Sequence, residues 1–304
     1  LNKEFLENLF RSKEKINEFY SPVNLDDFPF PDWEDYVKAY PLRNDFFSLK
    51  EKIAIPILGT RGCPYSCFNY CTYPLQQGRK VRARSVENIV KEIRYWQNKL
   101  GTNKFVFRDP VFSINRKHTI EFCEKLISKN LNIRFIIETH LRILDSELIK
   151  ILKKAGLKGV KVGVESGDEE VLKDANRFTI KKDDQLEKIK ELEKNKILVS
   201  SMFIIGFPSD NERSILKTIN YAKKLNTTYA QFSVWTPYPG TPVFNEYKDN
   251  ITAQKFDEFD QYHLVYNHKL FSKEKIRKYL SKAYTSYYFR IGWFFKYFKS
   301  LVTS

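Results

Sequence analysis

Apolar and polar positions along the chain follow two alternating periods. From Ile53 onward, short runs rich in β-branched and aromatic residues recur at Ile53–Leu58, Lys104–Phe107, Ile133–Glu138, Gly159–Val164, Leu198–Ile205 and Tyr229–Trp235. Their composition and brevity are those of buried strands. Between them lie amphipathic stretches, Val86–Leu100, Asn115–Lys129, Ser146–Ala155, Lys182–Asn195 and Glu212–Leu225, whose apolar residues return at helical spacing. Ser85 is placed to cap the first of these helices and Gly156 to end the third. Asp168 and Ser209 are further N-cap candidates. Strand–helix repeats predict parallel strands joined by right-handed crossovers. Six units rather than eight predict an α/β fold, a partial (β/α)6 TIM-like barrel open on one side. Chemistry in such folds gathers at the carboxyl ends of the strands.

The flanks read differently. Residues 1–50 are acidic and aromatic, and Pro22, Pro29, Pro31 and Pro41 break any long helix, which marks an N-terminal extension or linker. The barrel core is expected over 51–245 and a C-terminal helical extension over 246–304. Within that extension, residues 272–298 carry one helical stripe from Ile276 through Tyr287 to Phe298. Such a helix packs across the open side or the bottom of the barrel. Alternatively, Trp293–Phe298 and the flanking cations touch a membrane interface.

At 304 residues and 42% hydrophobic content the chain can bury a sizeable core. No apolar run approaches the ~20 residues of a membrane span. The net charge of +15 raises the question of nucleic acid. Lysines alternate with glutamates, however, as in Glu187–Lys196, which describes a solvated face and not a phosphate track. An anionic substrate or lipid surface stays open. No charged-then-apolar leader is visible, so the expected compartment is the cytoplasm, with membrane association through the C-terminal helix as a variant. GxGxxG, P-loop and HExxH patterns are missing, which leaves nucleoside triphosphate and zinc-protease chemistry without support.

Candidate chemistry concentrates just after the first strand. Cys63, Cys67 and Cys71 fall in the loop Gly59–Pro74, where glycine, proline and asparagine allow three sulfurs to converge. A disulfide would leave one cysteine over, and a structural zinc would want a fourth ligand. A cubane held by three thiolates leaves one iron open to another ligand and fits the count best. Cys123, on an amphipathic helix, reads as a small buried residue. Each strand end then offers polar or special residues: Arg108-Asp109, Glu138-Thr-His140, Gly163-Val-Glu165-Ser-Gly167, Ile204-Ile-Gly206-Phe-Pro208 and Trp235-Thr-Pro-Tyr-Pro-Gly240. His140 is expected to be a hydrogen-bonded structural histidine.

Gly62-Cys-Pro-Tyr-Ser-Cys67 followed by Tyr70-Cys71 resembles the cluster loop of the radical S-adenosylmethionine (SAM) superfamily. Three residues rather than two separate Cys67 from Cys71. The strand-end motifs are similar to those of its B12-dependent and methylthiotransferase branches, over about residues 53–245. Asn24–Trp33 resembles the linker between a cobalamin domain and a catalytic core. The resemblance implies a [4Fe-4S] cluster on Cys63, Cys67 and Cys71, with SAM cleaved reductively to a 5′-deoxyadenosyl radical for hydrogen abstraction, rearrangement or methylation. It also implies a low-potential flavodoxin or ferredoxin as reductant. By similarity to oxygen-independent coproporphyrinogen oxidase, Glu138 would face the methionyl group, Glu165 the ribose and Arg177 the methionyl carboxylate. A surface ion pair of Arg177 with Asp174 or Asp183 is the alternative. Met202 stands where that relative has a ribose-binding aspartate. Tyr70, Asp109, Gly206 and Trp235 complete the expected SAM contacts, Asp109 through its backbone. Fifty leading residues are too few for a cobalamin domain, so cobalamin is expected only where a further domain supplies it. The rival readings are a zinc-bound or non-catalytic barrel that binds other proteins, and a tRNA-modifying methylthiotransferase.

Overall fold

The computed structural model of the chain describes residues 24–39, 53–65 and 70–303. After α1 (Glu34–Ala39) comes β1 (Ile55–Ile57). A small antiparallel hairpin follows, β2 (Thr60–Arg61) with β3 (Arg82–Ala83), and α2 (Tyr73–Gln77) lies between its arms. Strand and helix then alternate: α3 (Val86–Leu100), β4 (Lys104–Phe107), α4 (Arg116–Ser128), β5 (Arg134–Glu138), α5 (Ser146–Lys154) and β6 (Leu157–Glu165). The series continues through α6 (Glu169–Asp174), α7 (Lys182–Lys194), β7 (Leu198–Ile205), α8 (Glu212–Leu225) and β8 (Tyr229–Val234). Last come α9 (Pro242–Tyr247), α10 (Lys273–Tyr288) and α11 (Ile291–Thr303).

The main sheet has six parallel strands in the order β1-β4-β5-β6-β7-β8. Its two ends do not pair, so the barrel is partial and open. The helices lay their apolar stripes on it: Ile89, Ile93 and Trp96 of α3, and Phe122 and Leu126 of α4, are all almost fully buried. Phe107 stands at the centre of an edge-to-face cluster, 4.7 Å from Phe112, 5.3 Å from Phe122 and 5.7 Å from Phe135. Each such ring pair adds about 1 kcal/mol beyond area burial.

Helix ends follow local chemistry. The Ser85 hydroxyl accepts from Asn88 N at 3.2 Å, and Gly101 closes α3 in the left-handed region. Asp168 caps α6, but Ser209 caps nothing: Asn211 begins α8, in a reciprocal box with Ser214. Asp210 takes the Phe207 and Ser214 donors instead, which orders the turn that Ser209 sits in.

The stripe over 272–298 is two helices, not one. Arg290 pins the break between them, donating to Tyr287 O at 2.7 Å, Lys223 O at 3.0 Å and Asn226 Oδ1 at 3.2 Å. The first helix, α10, covers the open edge of β8. An edge strand shows unpaired N–H and C=O groups that invite another chain. Here Tyr284 donates to Phe232 O and accepts from Phe232 N, at 2.9 and 3.1 Å. Tyr288 repeats this with Ala230, at 2.7 and 3.0 Å. The match is metric. Four residues of helix rise about 6 Å, and two residues of strand about 6.6 Å. Trp293 Nε1, on α11, extends the series by donating to Thr228 O at 2.9 Å. At the other edge, α1 and the segment before it strap onto the barrel. There Asp26 accepts from Ser85 N at 2.9 Å, and Glu34 pairs with Lys99 at 2.6 Å. No helix among the described residues is long and apolar enough to cross a membrane.

Candidate active site

The cysteine loop begins at the carboxyl end of β1 and is braced from β4. Asp109, fully buried just past β4, accepts from Gly59 N at 3.1 Å, from Thr60 Oγ1 at 2.6 Å and from Thr60 N. Burial pushes its carboxyl up to about 6, against these hydrogen bonds, which favour the charged form. The side chain of Asp109 therefore braces the turn. Gly62 sits at φ 98°, and a Cβ there would lie 2.2 Å from Lys80 O, so the hairpin closes only around glycine. Cys63 N donates to Gly78 O at 3.1 Å, which ties the two ends of the loop together. Cys63 is buried and Cys71 half-buried. Cys67 lies outside the described residues.

Next along the strand ends stand the carboxylates. Glu138 closes β5, and burial pushes its carboxyl above the usual range; Lys161 and Arg108 pull it back, and Glu165 adds repulsion. Tyr73, two residues past Cys71, stands beside Glu138, and its phenol is pushed up to about 12, first by burial and then by that carboxylate. Glu165 ends β6 beyond a bulge in the β6–β7 register and adopts φ 65°. Bulges re-aim side chains, and a non-glycine residue in the left-handed region stores roughly 1–3 kcal/mol of strain. The carboxylate so aimed meets Arg177 Nη2 at 3.2 Å, and the same nitrogen donates to Gly163 O at 3.0 Å. Both side chains are nearly buried, so this is not the surface pair with Asp174 or Asp183 that the sequence allowed. Burial raises the Glu165 carboxyl and Arg177 lowers it. Gly163 makes room for the pair: a Cβ there would stand 2.3 Å from Glu165 Oε1.

The third part of the site is an aromatic wall. Tyr70 lies edge-on to Phe207 at 6.1 Å and to Trp235 at 6.3 Å. These rings line a cavity of about 250 Å³ that also meets Asn176, Ser209 and Tyr247. Gly206, at φ 75°, turns the chain from β7 into this wall, and its carbonyl accepts from Tyr266 OH at 2.9 Å. His140 bonds Phe178 O through Nε2 and accepts from Arg142 N through Nδ1, and burial followed by Arg177 lowers it to about 4. It is a neutral structural histidine. Cys123 is fully buried on α4, its thiol pushed up to about 12.

Residues 57–222, more than half of the chain, match the Radical SAM superfamily. The chain belongs to the radical SAM superfamily. It is 31% identical over 225 residues to bacteriochlorophyllide d C-12(1)-methyltransferase of Chlorobaculum tepidum, covering 73% of this chain and 49% of that protein. It is 29% identical over 238 residues to the anaerobic magnesium-protoporphyrin IX monomethyl ester cyclase of Cereibacter sphaeroides, covering 77% and 37%. The chain thus spans half or less of these curated relatives. Among solved structures, the radical SAM methyltransferase TsrM of Kitasatospora setae, with cobalamin and a [4Fe-4S] cluster bound, aligns with a TM-score of 0.59 at 20% identity, over 65% of this chain and 37% of that one. Coproporphyrinogen III oxidase of Escherichia coli aligns with a TM-score of 0.51 at 14% identity, over 77% and 52%. These two likenesses are of fold.

The superfamily implies a [4Fe-4S] cluster and SAM, and the residues present fit them. Two thiol donors stand on a loop braced at both ends, and the third is Cys67 by sequence. The nearly buried carboxylate–guanidinium pair suits a zwitterionic ligand. Tyr73 beside Glu138 escaped the sequence, while Phe207 in the wall and Gly163 beneath the ion pair stood in strand-end motifs without a role of their own. Phe207 adjoins the Gly206 turn, and Gly163 opens the motif that holds Glu165, so both carried a signal. Tyr73 carried none.

Proposed function

We propose that this chain is the catalytic core of an enzyme that cleaves SAM reductively and uses the 5′-deoxyadenosyl radical on a separate substrate, for hydrogen abstraction, rearrangement or methyl transfer. The observation that carries the reading is the Glu165–Arg177 pair, held at 3.2 Å by a bulged strand end on the same barrel rim as the cysteine loop. Cys63, Cys67 and Cys71 would hold the cluster, which when bound supplies one electron to the sulfonium of SAM. Arg177 presents a planar fork that can keep Glu165 on one edge and take the methionyl carboxylate on another. Glu138 would hold the methionyl ammonium. Glu165 would accept from the ribose hydroxyls, a role enlarged by Met202, which cannot. Tyr70, the Gly206 turn and Trp235 would form the apolar slot for adenine and exclude water from it.

Methyl transfer, the activity named for the Chlorobaculum tepidum relative, would need cobalamin, which a further domain would have to supply. A flavodoxin or ferredoxin fits as reductant, because an acidic donor is steered toward a chain of net charge +15. A peripheral membrane contact through the C-terminal helix completes the reading. The test is anaerobic reconstitution with iron and sulfide. The expected product is brown, holds about four irons per chain and releases 5′-deoxyadenosine and methionine from SAM on reduction. A colourless, zinc-loaded product without SAM cleavage would overturn the proposal.

A further inference from the structure

The helix α11 has two unlike faces. Its inner face is docked: Trp293 donates to Thr228 O, and Lys296 meets Glu193 at 2.6 Å and the Asn226 carbonyl. These partners lie in the last turn of α7 and just before β8, so α11 lies under the amino end of the barrel, opposite the cysteine loop. Its outer face is apolar and uncovered. Phe295 is 75% exposed, Phe298 63% and Ile291 78%, and Phe289, at the break before the helix, is 80% exposed. Together these side chains offer an apolar surface on the order of 500 Å², at the upper end of what a monomer leaves in water.

The surroundings of this face are cationic. The turns that follow α3, α4, α5, α7 and α8 (99–103, 129–133, 153–156, 194–197 and 223–228) contain lysine and no carboxylate. Lys194, Lys196 and Lys224, on the turns beside α11, are all exposed. Lys153 is held below its usual range by burial and by Lys158 and Lys196, so positive charge is crowded there. Cations at helix carboxyl ends also complement the helix dipole. That preference explains single lysines but not a phenylalanine face among them. Nor does the reductant explain it. An electron donor must reach the cluster, and the eight residues of β7 put about 26 Å between the two ends of the barrel at ~3.3 Å per residue.

We infer that the amino-end face of the barrel docks onto an anionic lipid surface, with Phe289, Ile291, Phe295 and Phe298 inserted at the headgroup boundary and Lys194, Lys196 and Lys224 against the lipid phosphates. This deepens the membrane contact proposed above and rests on it. An apolar helix face supplemented by a polybasic patch supplies the two signals that stable peripheral binding requires. In this orientation the candidate active site points away from the bilayer, open to reductant.

The test is co-sedimentation of the full chain with sucrose-loaded vesicles of phosphatidylcholine alone or mixed with phosphatidylglycerol. The expected partition onto the mixed vesicles is roughly tenfold stronger and weakens with salt. Phe295→Ser with Phe298→Ser, and separately Lys194→Gln with Lys196→Gln and Lys224→Gln, are each expected to reduce it about tenfold. Because these side chains are exposed, the melting temperature and SAM cleavage should not change. Equal binding to both vesicle types would leave a membrane contact but overturn the anionic docking. No vesicle binding, with retention on heparin lost in the lysine variant, would assign the lysines to a soluble polyanion and overturn the inference. A dimer that the phenylalanine variant splits, without vesicle binding, would assign the face to a second copy and overturn it too.

Discussion

Asp109→Asn removes a charge and little else, which makes it the sharpest probe of how the cysteine loop is held. The native carboxyl lies at about 6 against an ordinary 3.8. At about 1.4 kcal/mol per pH unit, burying the charged form therefore costs about 3 kcal/mol near neutral pH. Asparagine escapes that cost. Its amide nitrogen, however, must face either Gly59 N or the Thr60 donors, so at least one of the hydrogen bonds is lost and a buried donor is left without an acceptor, for about 1–3 kcal/mol. At pH 7.5 the two effects nearly cancel, and the variant should match the parent within about 1–2 kcal/mol. At lower pH they part. A folded-state value above the unfolded one means that the native chain takes up a proton between about pH 6 and 4 that the unfolded chain does not, so this carboxyl adds stability as pH falls through about 6. The parent should therefore gain about 2.5 kcal/mol over the variant between pH 7.5 and 4, a range in which all other groups are common to both chains. Urea unfolding of the two metal-free chains at matched pH measures the difference directly. A difference that stays flat across this range, or one that opens toward high pH, would refute the account of Asp109. In parallel, Asp109→Ala should leave the far-ultraviolet circular dichroism unchanged and lower the iron retained on reconstitution.

Three further variants test other links. Arg177→Gln strips the partner from the nearly buried Glu165 and should cost about 3 kcal/mol and weaken SAM binding at least tenfold, as read by urea unfolding and equilibrium dialysis. Gly62→Ala places a Cβ 2.2 Å from Lys80 O at positive φ, so iron uptake should fall while the barrel melts within a few degrees of the parent; normal iron content would count against the hairpin as the loop's scaffold. Tyr284→Phe leaves Phe232 N and O without their hydroxyl partner and should lower stability by about 2–4 kcal/mol, with a soluble but more aggregation-prone product by light scattering.

The barrel was legible because each strand and helix carries its own period. Val160 and Val162, or Ile89 and Ile93, announce a buried face without reference to anything distant. Six repeats then fix the architecture through chirality alone. Legibility fails where a group's role depends on a partner far along the chain. Nothing near Tyr284 says that its hydroxyl meets a strand edge 52 residues earlier; in the sequence it is one more apolar position on a stripe. The break at Phe289 and Arg290 was hidden for the same reason, since the carbonyl that holds Arg290 belongs to Lys223. In the site, position came through and partnership did not. Glu165 stood out at a strand end and Arg177 only through the family resemblance, and the bulge and left-handed turn at Glu165 leave no periodic trace.

The site residues divide by what they can still do. Asp109 accepts from two backbone donors and a hydroxyl, all within the chain, and is fully buried, so it positions the loop. Glu165 and Arg177 meet at 3.2 Å, longer than a tight charge-assisted bond of ~2.8 Å. A carboxylate has about four lone-pair sites and a guanidinium five donors. Nearly shielded from water, both groups give up strong hydration on folding. A nearly buried ion pair does little for stability by itself, because desolvating two charges can cost more than burying an apolar pair of the same shape. On the proposed function, its place at the rim with the loop that bears Cys63 and Cys71 serves a charged ligand and not the fold. Replacing both residues at once, Glu165→Leu with Arg177→Met, should therefore leave the metal-free chain as stable as the parent or more so while abolishing SAM binding. Loss of stability comparable to Arg177→Gln alone would show instead that the pair belongs to the scaffold.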